Sequence, residues 1–390
     1  MEQKIALSQE FSQELLAFYR QGIQTPSCSD QEGDYARLIL AQMRSLGFDE
    51  AWIDPTGNVA GRVGQGPRIL HFDSHMDTVA VNDAPAWQAG PFSGALVDGM
   101  VWGRGAVDMK GGLSASVFAA ALAKRLGLLE GKSVYVTGSV CEEYCDGVCL
   151  EHFYRDSGLR PDFCMICEPS DNTITLGHTG KVQARIITQG VSSHGSAPEK
   201  GINAVYEMAE IIGRVAALNE RLRQAPGGGT VALTHISCET ASLNAVPSQC
   251  QIYLDRRLRL GETVEQVRGE LDALVAGQPR ASWEPGTLRR TSWTGRELVY
   301  EPSHDPWKIA EDAPLTLACR AAYRQVFGAE PDRYDFWDFG TNAVVPVALG
   351  VPTIGFGPGA YKLAHMRDER CDPRQVEEAC LFYTHLIGLL

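Results

Sequence analysis

Ile69-Leu70-His71-Phe72-Asp73-Ser74-His75-Met76-Asp77-Thr78 is an apolar run that ends abruptly in polar residues. Such a run reads as a buried strand whose C-terminal tip opens into a cleft. At that tip His75 and Asp77 are two residues apart, so in an extended chain they point the same way. That spacing suits an imidazole metal ligand held in orientation by a nearby carboxylate. Thirty residues on comes Gly103-Arg104-Gly105-Ala106-Val107-Asp108-Met109-Lys110-Gly111-Gly112. Its glycines permit a tight turn before a helix and hold Asp108 in one position.

Outward from this stretch, the chain alternates strands and helices. Residues 8–22 and 32–46 read as helices, 50–53 and 58–63 as strands, and 110–126 as a small-residue helix packed closely on a sheet. Strands at 133–140 and 163–167 end at Glu142-Glu143 and at Glu168. This order implies an α/β sheet covered on both faces, with ligands at strand C-termini. After residue 178 a β-α-β-β-α run suggests an inserted α+β unit. The stretch 279–311 is rich in Trp, Pro and Arg and reads as irregular. The α/β pattern resumes with a helix at 314–327, a strand near 352–356, a loop to His365 and a closing helix from about 373.

With 390 residues, two domains are expected. A formal net charge of −13 argues against a nucleic-acid or anionic-membrane partner, which would call for a basic face. No apolar run is long enough to span a bilayer and the first residues lack the order of a signal peptide, so a cytoplasmic location is expected. Eleven cysteines, an odd number, fit reduced thiols. Cys164-x-x-Cys167 lies inside an apolar run without a second pair, and Cys141, Cys145 and Cys149 are interrupted by Asp146-Gly147. Both sets read as packing.

Five candidate ligands fall where strands or loops should open: His75, Asp108, Glu143, Glu168 and His365. Oxygen and imidazole donors without thiolate suit zinc, with cobalt or manganese as alternatives. Two ions ~3.5–4 Å apart could share a carboxylate and polarise a carbonyl. Glu142 and Glu143 would point to opposite sides of a continuing strand, so a turn is needed for both to face the site. Glu142 would then be free to act as general base.

The series His75-x-Asp77, Gly103-Arg104-Gly105-x-x-Asp108-x-Lys110-Gly111, Glu142-Glu143, Glu168 and Gly357-Pro358-Gly359 to His365-x-x-x-Glu369 resembles the M20 family of metallopeptidases and deacylases. That family includes acetylornithine deacetylase, succinyl-diaminopimelate desuccinylase, aminoacylase and glutamate carboxypeptidase. The resemblance spans nearly the whole chain. It implies two divalent metal ions per subunit, one bound by His75 and Glu168, the other by Glu143 and His365, with Asp108 bridging. It also implies that Asp77 orients His75 and that Glu142 is the base. The implied fold is a phosphorylase/hydrolase-like mixed-sheet α/β catalytic domain (1–178 and 305–390) carrying an inserted α+β lid and dimerisation domain (179–304).

Within the insertion, Gly190-Val191-Ser192-Ser193-His194 and the residues to Ala204 resemble the family's lid motif, in which His194 would steady the tetrahedral oxyanion. Asn244 and Arg257 resemble positions that hold a substrate carboxylate, and Thr341 would join them. Gly340-Thr341-Asn342 departs from the Gly-Thr-Asp or Gly-Thr-Glu often found there, which removes a charge expected near the substrate. Four runs look like the YgeY-type, selenium-metabolism-linked subfamily: Glu142 to Gly147, Leu254 to Leu258, Ser292 to Gly295 and Phe339 to Ala343. The family's lids imply a homodimer in which His194 reaches the partner's site.

The resulting expectation is a two-metal hydrolase that cleaves an amide bond of a small N-acyl amino acid or peptide. By the same resemblance, a glutamate at 168 goes with deacylases and carboxypeptidases rather than dipeptidases, which tips the reading toward deacylation, with a dipeptidase or carboxypeptidase as the alternative. A non-catalytic binding protein would have lost the base or a ligand, and neither is lost. A thiol hydrolase using Cys141 finds no histidine or helix start nearby in sequence to activate the sulfur.

Overall fold

The run ending at His75 forms the strand Arg68–His75, which lies inside the main sheet of the computed structural model describing residues 5–390. Its neighbours are Lys132–Ser139 on one side and Phe163–Ile166 on the other, both parallel to it. Parallel pairing brings the C-terminal ends of three strands to one edge, so the residues that follow them meet there. The sheet continues outward through Val59–Gly64 and Glu50–Ile53 on one side. On the other it passes through Thr353–Gly355 and Thr175–His178 to Trp307–Lys308, and Asp335–Trp337 also pairs with Thr175–His178. Antiparallel pairs at both flanks make it a mixed sheet.

The helix Lys110–Arg125 is buried from Lys110 through Ala123. Its run of Gly, Ala and Ser lets it seat closely on the sheet. A Cβ at Gly112 would stand 2.1 Å from the Cys167 carbonyl oxygen, so only glycine fits beside the strand end that leads to Glu168. Helices Gln9–Gln24 and Pro373–Leu389 pack against the same helix. The core they share includes Phe11, Phe18, Phe118 and Tyr383.

The segment read as the insertion has its own sheet, ordered Thr230–Glu239, Gln249–Leu258, Gly180–Gln189 and Ala281–Pro285, with Ser303–His304 also paired to Gly180–Gln189. Alternation along Gly180–Gln189 buries Val182, Ala184 and Ile186 against helices Ala204–Gln224 and Val264–Val275, forming a separate core. Both helices start on side-chain caps: Asn203 accepts from Val205 N, and Thr263 and Gln266 form a reciprocal box.

The stretch 279–311 is not irregular. It holds the short strands Ala281–Pro285, Leu288–Thr291, Glu297–Tyr300, Ser303–His304 and Trp307–Lys308. Three of these pair with partners far away in sequence, which local composition cannot reveal. The hairpin Leu288–Tyr300 lies inside the segment read as the insertion, yet its Leu298 and Tyr300 join the core of the main sheet. Trp293 caps Gly57, donating from Nε1 to its carbonyl at 3.2 Å. The helix Val148–Ser157 is a further element that the sequence reading left unassigned.

Candidate metal centre

The strand edge delivers its polar residues into a cavity of about 370 Å³ lined by His75, Asp108, Glu142, Glu143, Glu168 and His365, among others. His75 ends its strand and is buried. Its Nδ1 lies 2.9 Å from the Asp77 carbonyl oxygen, so Nδ1–H donates there and Nε2 keeps its lone pair for the cavity. Nε2 stands 2.9 Å from Asp108 Oδ1 and 3.6 Å from Glu168 Oε1. On the other side, His365 Nε2 is 3.2 Å from Asp108 Oδ2 and 2.9 Å from Glu143 Oε2. The two oxygens of Asp108 therefore face different histidines, as a shared ligand requires. Donor atoms of His75, Asp108 and Glu143 lie within 4.8 Å of one another, and so do those of His75, Glu142 and Glu168.

The turn that the Glu142-Glu143 pair demands is made at Cys141, which adopts φ +56. Its backbone N–H donates to Glu32 Oε1 at 3.0 Å. The Asp77 carboxylate makes contacts beyond those the sequence reading named. It accepts the N–H groups of Glu142 (3.0 Å) and Glu143 (3.1 Å) and the Ser29 hydroxyl (2.6 Å). Its nearest oxygen is 3.6 Å from His75 Nδ1. Asp77 thus orients the histidine through its backbone and the two glutamates through its side chain.

Arg104 and Glu369, quoted in the motif without a role, join the loops of Asp108 and His365. Glu369 accepts from Arg104 at 2.6 Å and from Val107 N and Asp108 N at 2.7 and 3.1 Å. Arg104 also donates to the carbonyls of His365 and Met366. Burial pushes the Glu369 carboxyl up to about 7.

Crowding of like charges marks the centre electrostatically. Burial drives Glu142 and Glu168 well above the usual carboxylate range; His75 opposes this in both, while neighbouring carboxylates add to it. Hydrogen bonds to Asp108 and Glu143 pull His365 up to about 10. Four acids and two imidazoles packed this way call for positive charge between them. The donor set of carboxylates and imidazoles fits two divalent cations.

The remaining predicted residues are placed less uniformly. Arg257 lines the cavity, with Nε 2.7 Å from Asp255 Oδ1. Thr341 is fully buried and its hydroxyl accepts from Ala343 N; in that loop Asp338, Phe339 and Gly340 line the cavity. Asn342 lies beneath the site. Its amide donates to Asp73 Oδ2 (2.9 Å) and Ser139 Oγ (2.8 Å), and its oxygen accepts from Gly147 N (2.7 Å). The missing acidic residue at 342 is therefore no loss of charge at the cavity surface. His194 and Asn244 are exposed at the tip of the insertion and do not line this cavity. They lie side by side, Gly195 N donating to Asn244 O at 2.6 Å. The cysteines are all free, and Cys141, Cys145, Cys149, Cys164 and Cys167 are buried.

Residues 71–388 match the family model described as Peptidase family M20/M25/M40. A protein named YgeY from Escherichia coli K12 is 38% identical over 367 residues, covering 93% of this chain and 91% of its own. A succinyl-diaminopimelate desuccinylase of Cereibacter sphaeroides is 28% identical over 385 residues, covering 94% and 96%. Among solved structures, an M20 family metallo-carboxypeptidase from Sulfolobus solfataricus superposes with a TM-score of 0.74 at 18% identity, covering 98% of this chain and 99% of its own. A Bacillus subtilis protein described as a dinuclear metal-binding M20 peptidase gives 0.68 at 14% identity, covering 98% of each.

Proposed function

The chain belongs to peptidase family M20/M25/M40, and from that membership we propose that it hydrolyses an amide bond in a small N-acyl amino acid or peptide. The observation that carries this reading is Asp108, whose two oxygens face His75 and His365 while Glu142 stands buried beside them. His75 and Glu168 would hold one divalent ion, Glu143 and His365 the other, with Asp108 shared. When bound, such ions supply Lewis acidity for the scissile carbonyl and a nucleophile at neutral pH. We assign zinc first, with cobalt or manganese as alternatives.

Glu142 is the general base in this reading. It takes the proton of the attacking water and returns it to the leaving amine, and its raised affinity for a proton suits both halves of that exchange. Asp77 holds its backbone and Glu143's in the required turn. Arg257, on the lid side of the cavity, would grip a substrate carboxylate; Asn244, exposed at the tip, would reach a substrate only across a dimer, and Thr341, buried behind the wall, would shape that wall rather than touch the substrate. The glutamate at 168 and the desuccinylase relative favour deacylation, and a dipeptidase or carboxypeptidase remains the second reading because Arg257 would serve either.

The lid spans 179–304 in this assignment, and it forms a homodimer. Support comes from its exposed apolar side chains Val191, Tyr206, Ile236 and Leu243, and from the edge position of Thr230–Glu239. His194 would then reach the partner's cavity and steady the oxyanion. No helix among the described residues is long and apolar enough to cross a membrane. The unpaired cysteines support a reducing, cytoplasmic location. The test is turnover by metal-loaded protein of a panel of N-acetyl, N-succinyl and N-carbamoyl amino acids and dipeptides, read by ninhydrin. Inertness across the panel with both ions bound would overturn the assignment.

A further inference from the structure

Two cations from the lid, Lys181 and Arg257, line the metal cavity. They sit directly opposite each other in register on the paired strands Gly180–Gln189 and Gln249–Leu258. Like charges across a strand pair are destabilising by themselves. Here each has one acid beside it: Asp146 lies 2.5 Å from Lys181 Nζ, and Asp255 grips Arg257. Neither acid uses its cation fully. Asp255 takes Nε and Nη2 of Arg257, and no hydrogen bond among the described residues uses Nη1. Lys181 is 8% exposed and donates one hydrogen bond, to Asp146. An ammonium has three donors, and burial denies the other two ready access to bulk water. Lys110, also buried, makes the contrast in donors: it donates to two carbonyls and lies over the Tyr35 ring, whereas Lys181, over the Tyr300 ring, donates only to Asp146.

Alternation along the strand explains the aim of these side chains. Val182 and Ala184 turn into the lid's core, so Lys181 and Gln183 face the other way. Lys181 is also flanked on its second side by His304, its partner on the strand Ser303–His304. The ammonium is thus held in a row of strands at the cavity wall, beside Asp146 and the Tyr300 ring.

We propose that Lys181 and Arg257 form a two-cation clamp for a carboxylate of the substrate, Lys181 being its buried half. The assignment rests on the hydrolase reading above and adds Lys181 to the carboxylate grip proposed there for Arg257. Lys181 is a substrate-binding residue, and the sequence reading did not single it out.

The competing role for Lys181 is purely structural, an anchor for the loop from Cys141 to Gly147 through Asp146. The experiment separates the two with full-length, metal-loaded Glu142→Gln protein, in which bound substrate persists. Calorimetric titration compares N-acetyl-L-alanine with N-acetyl-L-alaninamide, which lacks the carboxylate. The parent should prefer the acid. In Lys181→Met/Asp146→Asn, which leaves no orphaned buried charge, the acid's Kd should rise about 10–100-fold, as loss of a charge-assisted hydrogen bond predicts. The amide's Kd should stay put, and Lys181→Arg should retain much of the acid preference. No acid preference in the parent, an unchanged acid Kd in the variant, or equal weakening of acid and amide would each overturn the clamp. If wild-type protein hydrolyses nothing in the substrate panel, the hydrolase reading falls, while the acid–amide comparison still decides Lys181.

Discussion

The two walls of the cavity differ in how much of the site each completes. On the catalytic side, His75, Asp108, Glu143, Glu168 and His365 converge within one chain, with the facing atoms of both histidines 2.9–3.6 Å from a carboxylate. On the lid side, Arg257 and Lys181 reach the cavity, but His194 and Asn244 stay exposed at the tip. The difference lies in how position is set. Parallel register fixes where strand ends fall relative to one another, whatever the loops do. A hairpin tip on an inserted domain is placed only by the domain's own orientation or by a second copy.

The largest effect expected is on the catalytic wall. Glu142→Gln should lower kcat by ~10²–10⁴-fold, the usual cost of losing a positioned base. Both ions should remain bound, as metal analysis of the purified variant would show. Near-normal kcat at full occupancy would mean that the wall's buried glutamate is only structural.

The lid wall is tested next. His194→Ala should cost ~10²–10³-fold if the imidazole steadies the oxyanion. Because His194 lies outside its own cavity, the loss should be repairable between chains. Glu142→Gln and His194→Ala dimers, dissociated and mixed in equal amounts, should regain about a quarter of wild-type activity, since half the dimers are mixed and one of two sites in each is intact. No recovery from a verified mixed dimer would mean that the lid closes on its own chain, and a monomer on sizing would remove the comparison's basis.

Asp77 probes the support beneath the catalytic wall, where the expected effect is smaller. Asp77→Ala should weaken metal affinity or activity by ~10–100-fold. Its carboxylate accepts from Glu142 N, Glu143 N and Ser29, so thermal stability should fall as well. Asp77→Asn keeps one accepting oxygen and should be milder on both counts. If Asp77→Ala altered metal binding without touching kcat per occupied site, the link to the Glu142 turn would be wrong.

Much of this arrangement was legible in the sequence, because each candidate ligand follows an apolar strand or sits in a glycine-framed turn. The order His75, Asp108, Glu143, Glu168, His365 could be read without knowing the sheet. What escaped was set by contacts between distant segments. Nothing local shows that Cys141 turns left-handed under Glu32, or that Glu369 ties the His365 loop to Asp108. Lys181 reads as one more polar residue in an alternating strand until its register with Arg257 is known. The hairpin Leu288–Tyr300 looked irregular because it sits in a stretch rich in Trp, Pro and Arg, while its Leu298 and Tyr300 are matched to a core assembled elsewhere.

Asn342 gives the smallest and most specific test, since sequence and structure assign it opposite surroundings. Read from the motif, it replaces an acidic residue near the substrate; in the fold it is buried below the catalytic wall, with its amide on Asp73 and Ser139. Asn342→Asp would exchange the donating NH₂ for an oxygen facing the Asp73 carboxylate, whose proton affinity burial already raises. Two buried carboxylates in contact cannot both ionise cheaply, so the pair would hold a proton in the folded state at a pH where the unfolded chain has released it. A folded pKa above the unfolded value of ~3.9 means stability is fully present below that value and lost as pH rises through the folded one. The variant should therefore be less stable than wild type by about 1–3 kcal/mol near neutral pH, with the gap narrowing as pH falls toward 5, measured by denaturant unfolding at several pH values. Its ranking of neutral and cationic substrates should be that of the wild type. A shift of that ranking toward cationic substrates without loss of stability would place residue 342 at the cavity surface and return the charge argument to the motif.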